Sequence, residues 1–171
     1  MRIFISLLLM MIFAAPVQSA NVLSPRYSSQ KSSSLTSSAR IYDIRPSEVA
    51  RYIKKQPQKK LVYVYASWCP YCKRIFPEII KMGQKGVKVI AFSVDSERHD
   101  LERYLASYGR SVAFPTLRVK NGPNSIGSAL AQAGLSYPGT VPYMAVIDKN
   151  NKILLQGSNL DASTLWSYLK R

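Results

Sequence analysis

Residues 59–83, KKLVYVYASWCPYCKRIFPEIIKMG, constrain this chain more than any other stretch. Lys59 to Ala66 is a β-branched and aromatic run long enough for a buried strand. Beyond it, Ile75, Ile79 and Met82 recur at the spacing of one helix face, and Gly83 is placed to end that helix. Pro70 suits a first helical turn, where a missing N–H leaves no partner unserved. The segment therefore predicts a strand turning directly into a helix, with Cys69 at the helix N-terminus and Cys72 inside its first turn. These are the only two cysteines of the 171 residues.

Three uses of such a pair compete. As a staple it is poor: closing four residues is worth about 2 kcal/mol in loop entropy, against ~3 for a fifteen-residue loop. Zinc takes about four ligands, whereas the chain offers two thiols and one distant imidazole, His99. Chemistry is the third use. A thiolate attacks disulfides, and unpaired N–H groups at a helix N-terminus stabilise that anion, with Lys73 and Arg74 adding positive charge. A mixed disulfide formed at Cys69 is then open to resolution by the more buried Cys72.

WCPYCKRIFP resembles the thioredoxin superfamily, with Trp68 before the first cysteine, Lys73 after the second, and Pro77 five residues beyond it. The resemblance spans about residues 59–171 and implies a thioredoxin-like α/β/α sandwich with a central mixed sheet. The remaining pattern agrees. Residues 86–95 read as the next strand, and residues 96–109 as a helix with Leu101, Tyr104, Leu105 and Tyr108 on one face and Gly109 as its stop. PYMAVIDKNNKILLQG reads as two strands around a turn at Lys149 to Asn151. A last helix is capped by Asp161, with Leu165, Trp166 and Leu169 inward.

The family also places a cis-proline beside the cysteine pair. Pro115 and Pro142 are the candidates, and only Pro142 is followed by two strands and a helix. With Pro142 in that role, residues 96–138 hold an insertion before the cis-proline. That enlarged middle resembles the exported TlpA-like reductases. The resemblance implies Cys69 as nucleophile and Cys72 as resolving thiol, with Trp68, Pro70, Tyr71, Thr140, Val141 and Pro142 contacting substrate. It implies no bound cofactor, since the electrons reside in the cysteine pair, and no metal. Many relatives carry a buried acid six residues before the first cysteine; here that residue is Tyr63. Tyr63 and Tyr65 alternate along a strand and read as packing. His99 reads as solvated.

The N-terminal twenty residues have the layout of a secretory signal peptide: Arg2, an apolar run from Ile3 to Ala15, then Pro16 and the small pair Ser19-Ala20. An uncleaved anchor is the alternative, although a spanning helix needs about 20 apolar residues. Residues 21–40 contain eight serines and read as a flexible leader. The folded domain is then 41–171, and the periplasm is the expected compartment. Lysine and arginine outnumber aspartate and glutamate by 24 to 9 and gather at Arg45–Lys60 and Lys73–Lys88. Such a surface suits an acidic partner or an anionic membrane face, or is simply well solvated. Export argues against nucleic acid. Expected partners are protein disulfides and an upstream redox protein, soluble or membrane-bound. A protein reductase or isomerase is the leading reading. A DsbA-like oxidant and a passive, non-enzymatic docking module are the alternatives.

Overall fold

The computed structural model describes residues 40–170. The expected signal peptide, and all of the serine-rich leader except Arg40, lie outside the described residues. The centre of the structure is β2 (Lys60–Tyr65), buried along its whole length. It has no polar face because it is paired on both edges and covered on both sides. One edge runs parallel to β3 (Lys88–Ser93), with Tyr65 opposite Ser93. The other runs antiparallel to β5 (Tyr143–Ile147), with Val64 opposite Tyr143.

Three further strands are β1 (Ile41–Ile44) and β4 (Thr116–Val119), parallel to one another, and β6 (Ile153–Gly157), which forms a hairpin with β5. They complete a six-stranded mixed sheet in the order β1-β4-β3-β2-β5-β6. Helices cover both faces. On one, α1 (Pro46–Lys54) packs on α4 (Gly122–Ala131), and Ile53 and Ile126 are among their buried residues. On the other, α2 (Pro70–Gln84) packs on α5 (Ala162–Lys170), and Phe76 of α2 meets Tyr104 of α3 (Arg98–Ala106) at 5.3 Å between ring centroids. This is the thioredoxin-like three-layer sandwich, with residues 96–138 supplying α3, a 3-10 turn at Gly109–Ser111, β4 and α4 before the cis-proline.

Several local expectations meet their physical counterparts. Asp161 caps α5, its Oδ1 accepting the Thr164 N–H at 2.7 Å. The β5–β6 turn forms at the expected residues, with Asn151 at φ 64°, in the left-handed region that asparagine tolerates. Two stops fall elsewhere. Gly83 does not end α2, which runs to Gln84; a Cβ there would come 2.7 Å from the ring of Phe114, so the glycine makes room for that ring. Likewise α3 closes at Ala106, before Gly109. Lys60 is a third departure. It belongs to a basic run, yet it is buried, its ammonium donating to Gln56 O, Asp148 O and Asn151 Oδ1 at 3.0, 3.4 and 2.7 Å. It joins the end of α1 to the β5–β6 turn.

Candidate active site

The carboxyl end of β2 runs into Ala66–Ser67–Trp68, and the Cys69 N–H closes the turn on Ala66 O at 3.2 Å. Cys69 is the N-cap of α2, and its sulfur does the work that a serine or aspartate oxygen does elsewhere: Sγ accepts the Cys72 N–H at 3.2 Å. Pro70 occupies the first turn, which contains no acidic side chain. An anion forming at Cys69 thus faces the positive end of a fifteen-residue helix with a donor already aimed at it.

The second wall comes from the loop before β5. The Val141-Pro142 peptide bond is cis and Phe114-Pro115 is trans, as the order of elements suggested. Val141 O accepts the Cys69 thiol at 3.4 Å, across 72 residues of chain. Pro115 immediately precedes β4 and lines a different groove with Tyr42 and Tyr52. Thr140, exposed, exchanges a hydrogen bond with Ser158 at 3.1 Å.

Both cysteines are free thiols, and both are covered, Cys69 at 3% exposure and Cys72 at 0%. Access therefore differs little between them, and the chemistry separates them. Burial pushes the Cys72 thiol well above its ordinary range, and its contact with Cys69 pushes it further. Cys72 is held neutral at rest. Beneath it lies Tyr63, fully buried, whose hydroxyl donates to Cys72 O at 3.3 Å. Burial, and then the neighbouring Cys72, keep that phenol protonated far into alkali. Tyr63 stacks on Tyr65 at 5.0 Å and 7° between planes, so the alternating tyrosines pack as expected while one of them also touches the cysteine turn.

Around the covered sulfurs stand two uncovered aromatics, Trp68 at 62% and Tyr71 at 64% exposure. Large apolar groups left in water together are of the kind that interaction surfaces use. A groove of about 420 Å³ borders Tyr71, Ile75, Pro142 and Leu160; another of about 540 Å³ borders Trp68, Lys73, Arg103 and Tyr104. Arg74 lies over the Tyr71 ring at 4.2 Å. His99 is exposed and set against Asp100, which lines the Trp68 groove. Sequence reasoning passed over Asp95, whose buried carboxylate holds Ser67, two residues before Cys69. Only the pairing of β2 with β3 brings them together.

A helix-capping dithiol facing a cis-proline on a mixed sheet defines a thioredoxin-fold thiol-disulfide protein. The chain belongs to the Redoxin family, whose model matches residues 50–159. Solved structures with the same fold include StoA from Bacillus subtilis, at 20% identity and TM-score 0.51, covering 68% of this chain and 85% of that one. A thioredoxin-family thiol:disulfide interchange protein from Chlorobium tepidum is 16% identical, with TM-score 0.53 and coverage of 67% and 79%. The exposed lipoprotein thioredoxin of Streptococcus pneumoniae is 17% identical, with TM-score 0.51 and coverage of 71% and 88%. Among curated proteins, 5'-adenylylsulfate reductase 3 of Arabidopsis thaliana is 32% identical over 71 residues. That match takes in 39% of this chain and only 15% of the plant protein.

Proposed function

We propose that this protein is an exported thiol-disulfide oxidoreductase that reduces or isomerises disulfides in other proteins, with Cys69 as nucleophile and Cys72 as resolving thiol. One observation carries the reading. The Cys69 sulfur receives an N–H at the start of α2 and touches the carbonyl before Pro142, while Trp68 and Tyr71 stay exposed around it.

The Cys69 thiolate attacks one sulfur of a substrate disulfide; a mixed disulfide forms and one substrate thiolate leaves. Cys72 then loses its proton and attacks Cys69 Sγ, releasing the second substrate thiol and leaving a Cys69–Cys72 disulfide. Two electrons pass to the substrate. An upstream redox protein, soluble or in the membrane, must return them, and no bound cofactor takes part. Trp68, Pro70 and Tyr71 meet the substrate on one side, and Thr140, Val141 and Pro142 receive its extended backbone on the other. The exposed Lys73 and Arg74 favour an acidic partner or an anionic membrane face near the site. Export rests on the N-terminal twenty residues, with cleavage favoured over anchoring and the periplasm as destination.

Reduction or isomerisation is preferred to oxidation on two grounds. The Pro70-Tyr71 pair resembles that of glutaredoxins and some exported isomerases, and residues 96–138 hold a strand and two helices rather than a large helical domain. The corresponding potential is nearer ~−200 than ~−120 mV. The helix N-terminus at Cys69 and the adjacent Lys73 favour the second reading, an oxidant.

Trapping decides between them. Cys72→Ser is expected to capture partner proteins as reducible mixed disulfides and Cys69→Ser to capture none. In intact cells the pair is expected to be found reduced. A pair found fully oxidised, together with rapid oxidation of a reduced test peptide by the purified protein, establishes the oxidant instead. Failure of either form to exchange with a disulfide leaves the passive docking module.

A further inference from the structure

Asp95 lies two residues past the end of β3, 1% exposed. Among the described residues no lysine, arginine or histidine pairs with it. A carboxyl group without a cation is costly to bury unless hydrogen bonds offset the lost water. Here they do. Oδ1 accepts the Ser67 N–H at 3.0 Å and the Ser67 hydroxyl at 2.5 Å. Oδ2 accepts the same N–H at 3.0 Å and the Ser93 hydroxyl at 2.6 Å. The Asp95 N–H returns to Ser93 Oγ at 3.0 Å. Ser67 and Ser93 are themselves buried, so the three side chains form a closed polar unit.

Its place in the fold gives the unit a consequence. The β2–β3 ladder continues past Tyr65 through Val94 N–H to Tyr65 O at 2.9 Å, and the Asp95–Ser67 clamp closes it one step later. Ser67 is the last buried residue before the exposed Trp68 and the nucleophile. Its N–H is spent on the carboxylate, which leaves the first turn of α2 as the donor group facing Cys69 Sγ. We propose that Asp95 is a positioning residue for the redox pair: by fastening Ser67 to the end of β3 it fixes the entry of α2, and so the alignment of the Cys72 N–H with the Cys69 sulfur. This inference rests on the reading of Cys69 and Cys72 as the working pair.

The full chain and its Asp95→Ala, Asp95→Asn and Ser67→Ala variants, all reduced, test it. Three quantities are read: the rate of Cys69 alkylation by iodoacetamide at neutral pH, the equilibrium of the pair with glutathione, and the urea midpoint. Loss of the clamp misaligns the donor, so Asp95→Ala is expected to slow alkylation. It is also expected to shift the glutathione equilibrium toward the disulfide by about tenfold, which is ~30 mV for a two-electron couple. Asp95→Asn keeps an acceptor for Ser67 and is expected to recover most of both. Ser67→Ala, which removes only the hydroxyl contact, moves both the same way by less and serves if Asp95→Ala fails to fold. A folded Asp95→Ala protein, or Ser67→Ala in its place, with a lowered urea midpoint but unchanged alkylation and equilibrium overturns the inference, as does faster alkylation. An Asn variant no better than Ala also overturns it, because charge rather than placement would then be at work. Exchange of the parent chain with a disulfide-bonded model peptide is measured alongside. If that exchange is absent while alkylation still responds to Asp95, the oxidoreductase reading falls and the positioning role stands.

Discussion

The buried tyrosines of the sheet make the fold vulnerable to alkali. Tyr63, Tyr65 and Tyr143 are fully buried. Burial raises all three phenols, Tyr143 to about 12, Tyr65 further, and Tyr63 well above its ordinary value. In the unfolded chain each ionises near pH ~10. Because the folded values are the higher ones, the stability these groups contribute is complete below pH ~10 and is lost as pH rises above it. With its folded value at about 12, Tyr143 has lost about 1.4 kcal/mol by pH ~11, and Tyr63 and Tyr65 add losses of the same sign, against the roughly 5–15 kcal/mol typical of a domain. Cys72, also raised, acts with the same sign from the ordinary thiol range upward. Lys60 opposes them: burial lowers its value, so its loss of a proton at high pH favours the folded form. Urea midpoints measured between neutrality and pH ~11, with tyrosinate absorbance followed in the same samples, check the balance. The midpoint is expected to fall steeply above pH ~10, with the three buried phenols ionising only as the chain unfolds. A folded protein whose tyrosines all titrate smoothly near pH ~10, with no change in midpoint, would refute the claim that they are sealed.

Other perturbations follow from particular contacts. Gly122→Ala places a Cβ 2.7 Å from the Val94 main chain, which cannot swing aside; a loss of about 1–3 kcal/mol in urea unfolding is expected despite the better helix propensity of alanine. Tyr63→Phe removes the hydroxyl bonded to Cys72 O and is expected to cost about 1 kcal/mol while leaving the stacked rings in place. Comparing its disulfide-exchange rate with that of the parent over a range of pH shows whether the hydroxyl also influences the resolving step. Lys60→Met fits the apolar slot but strands the three acceptors of the ammonium; thermal or urea unfolding is expected to show a loss on the order of 3 kcal/mol.

What was legible in the residues is what forms within a few turns of chain. The β2–α2 junction, the capping cysteine, the Asp161 cap and the terminal hairpin each depend on neighbours in sequence, and each falls where local periodicity and capping chemistry put it. Even the choice between Pro115 and Pro142 came from the order of elements that follow. Strand β1 had no such signal: IYDI is four residues long with its two central residues exposed, and it becomes a strand because β4 lies beside it. The same holds for β4, whose four residues extend along β1 on one side and β3 on the other.

The sequence by itself determined the dithiol centre, because a thiol at a helix N-terminus and a second thiol one turn later need only a strand, a turn and a helix in succession. Tertiary structure alone decided what surrounds that centre. Val141 reaches Cys69 across 72 residues, Asp95 reaches Ser67 across 28, and Lys60 is buried because Asp148 and Asn151 close over it from the far hairpin. Such contacts depend on which strands become neighbours and in what register. That choice is made by the burial of the whole apolar set at once, and no short window of the chain encodes it.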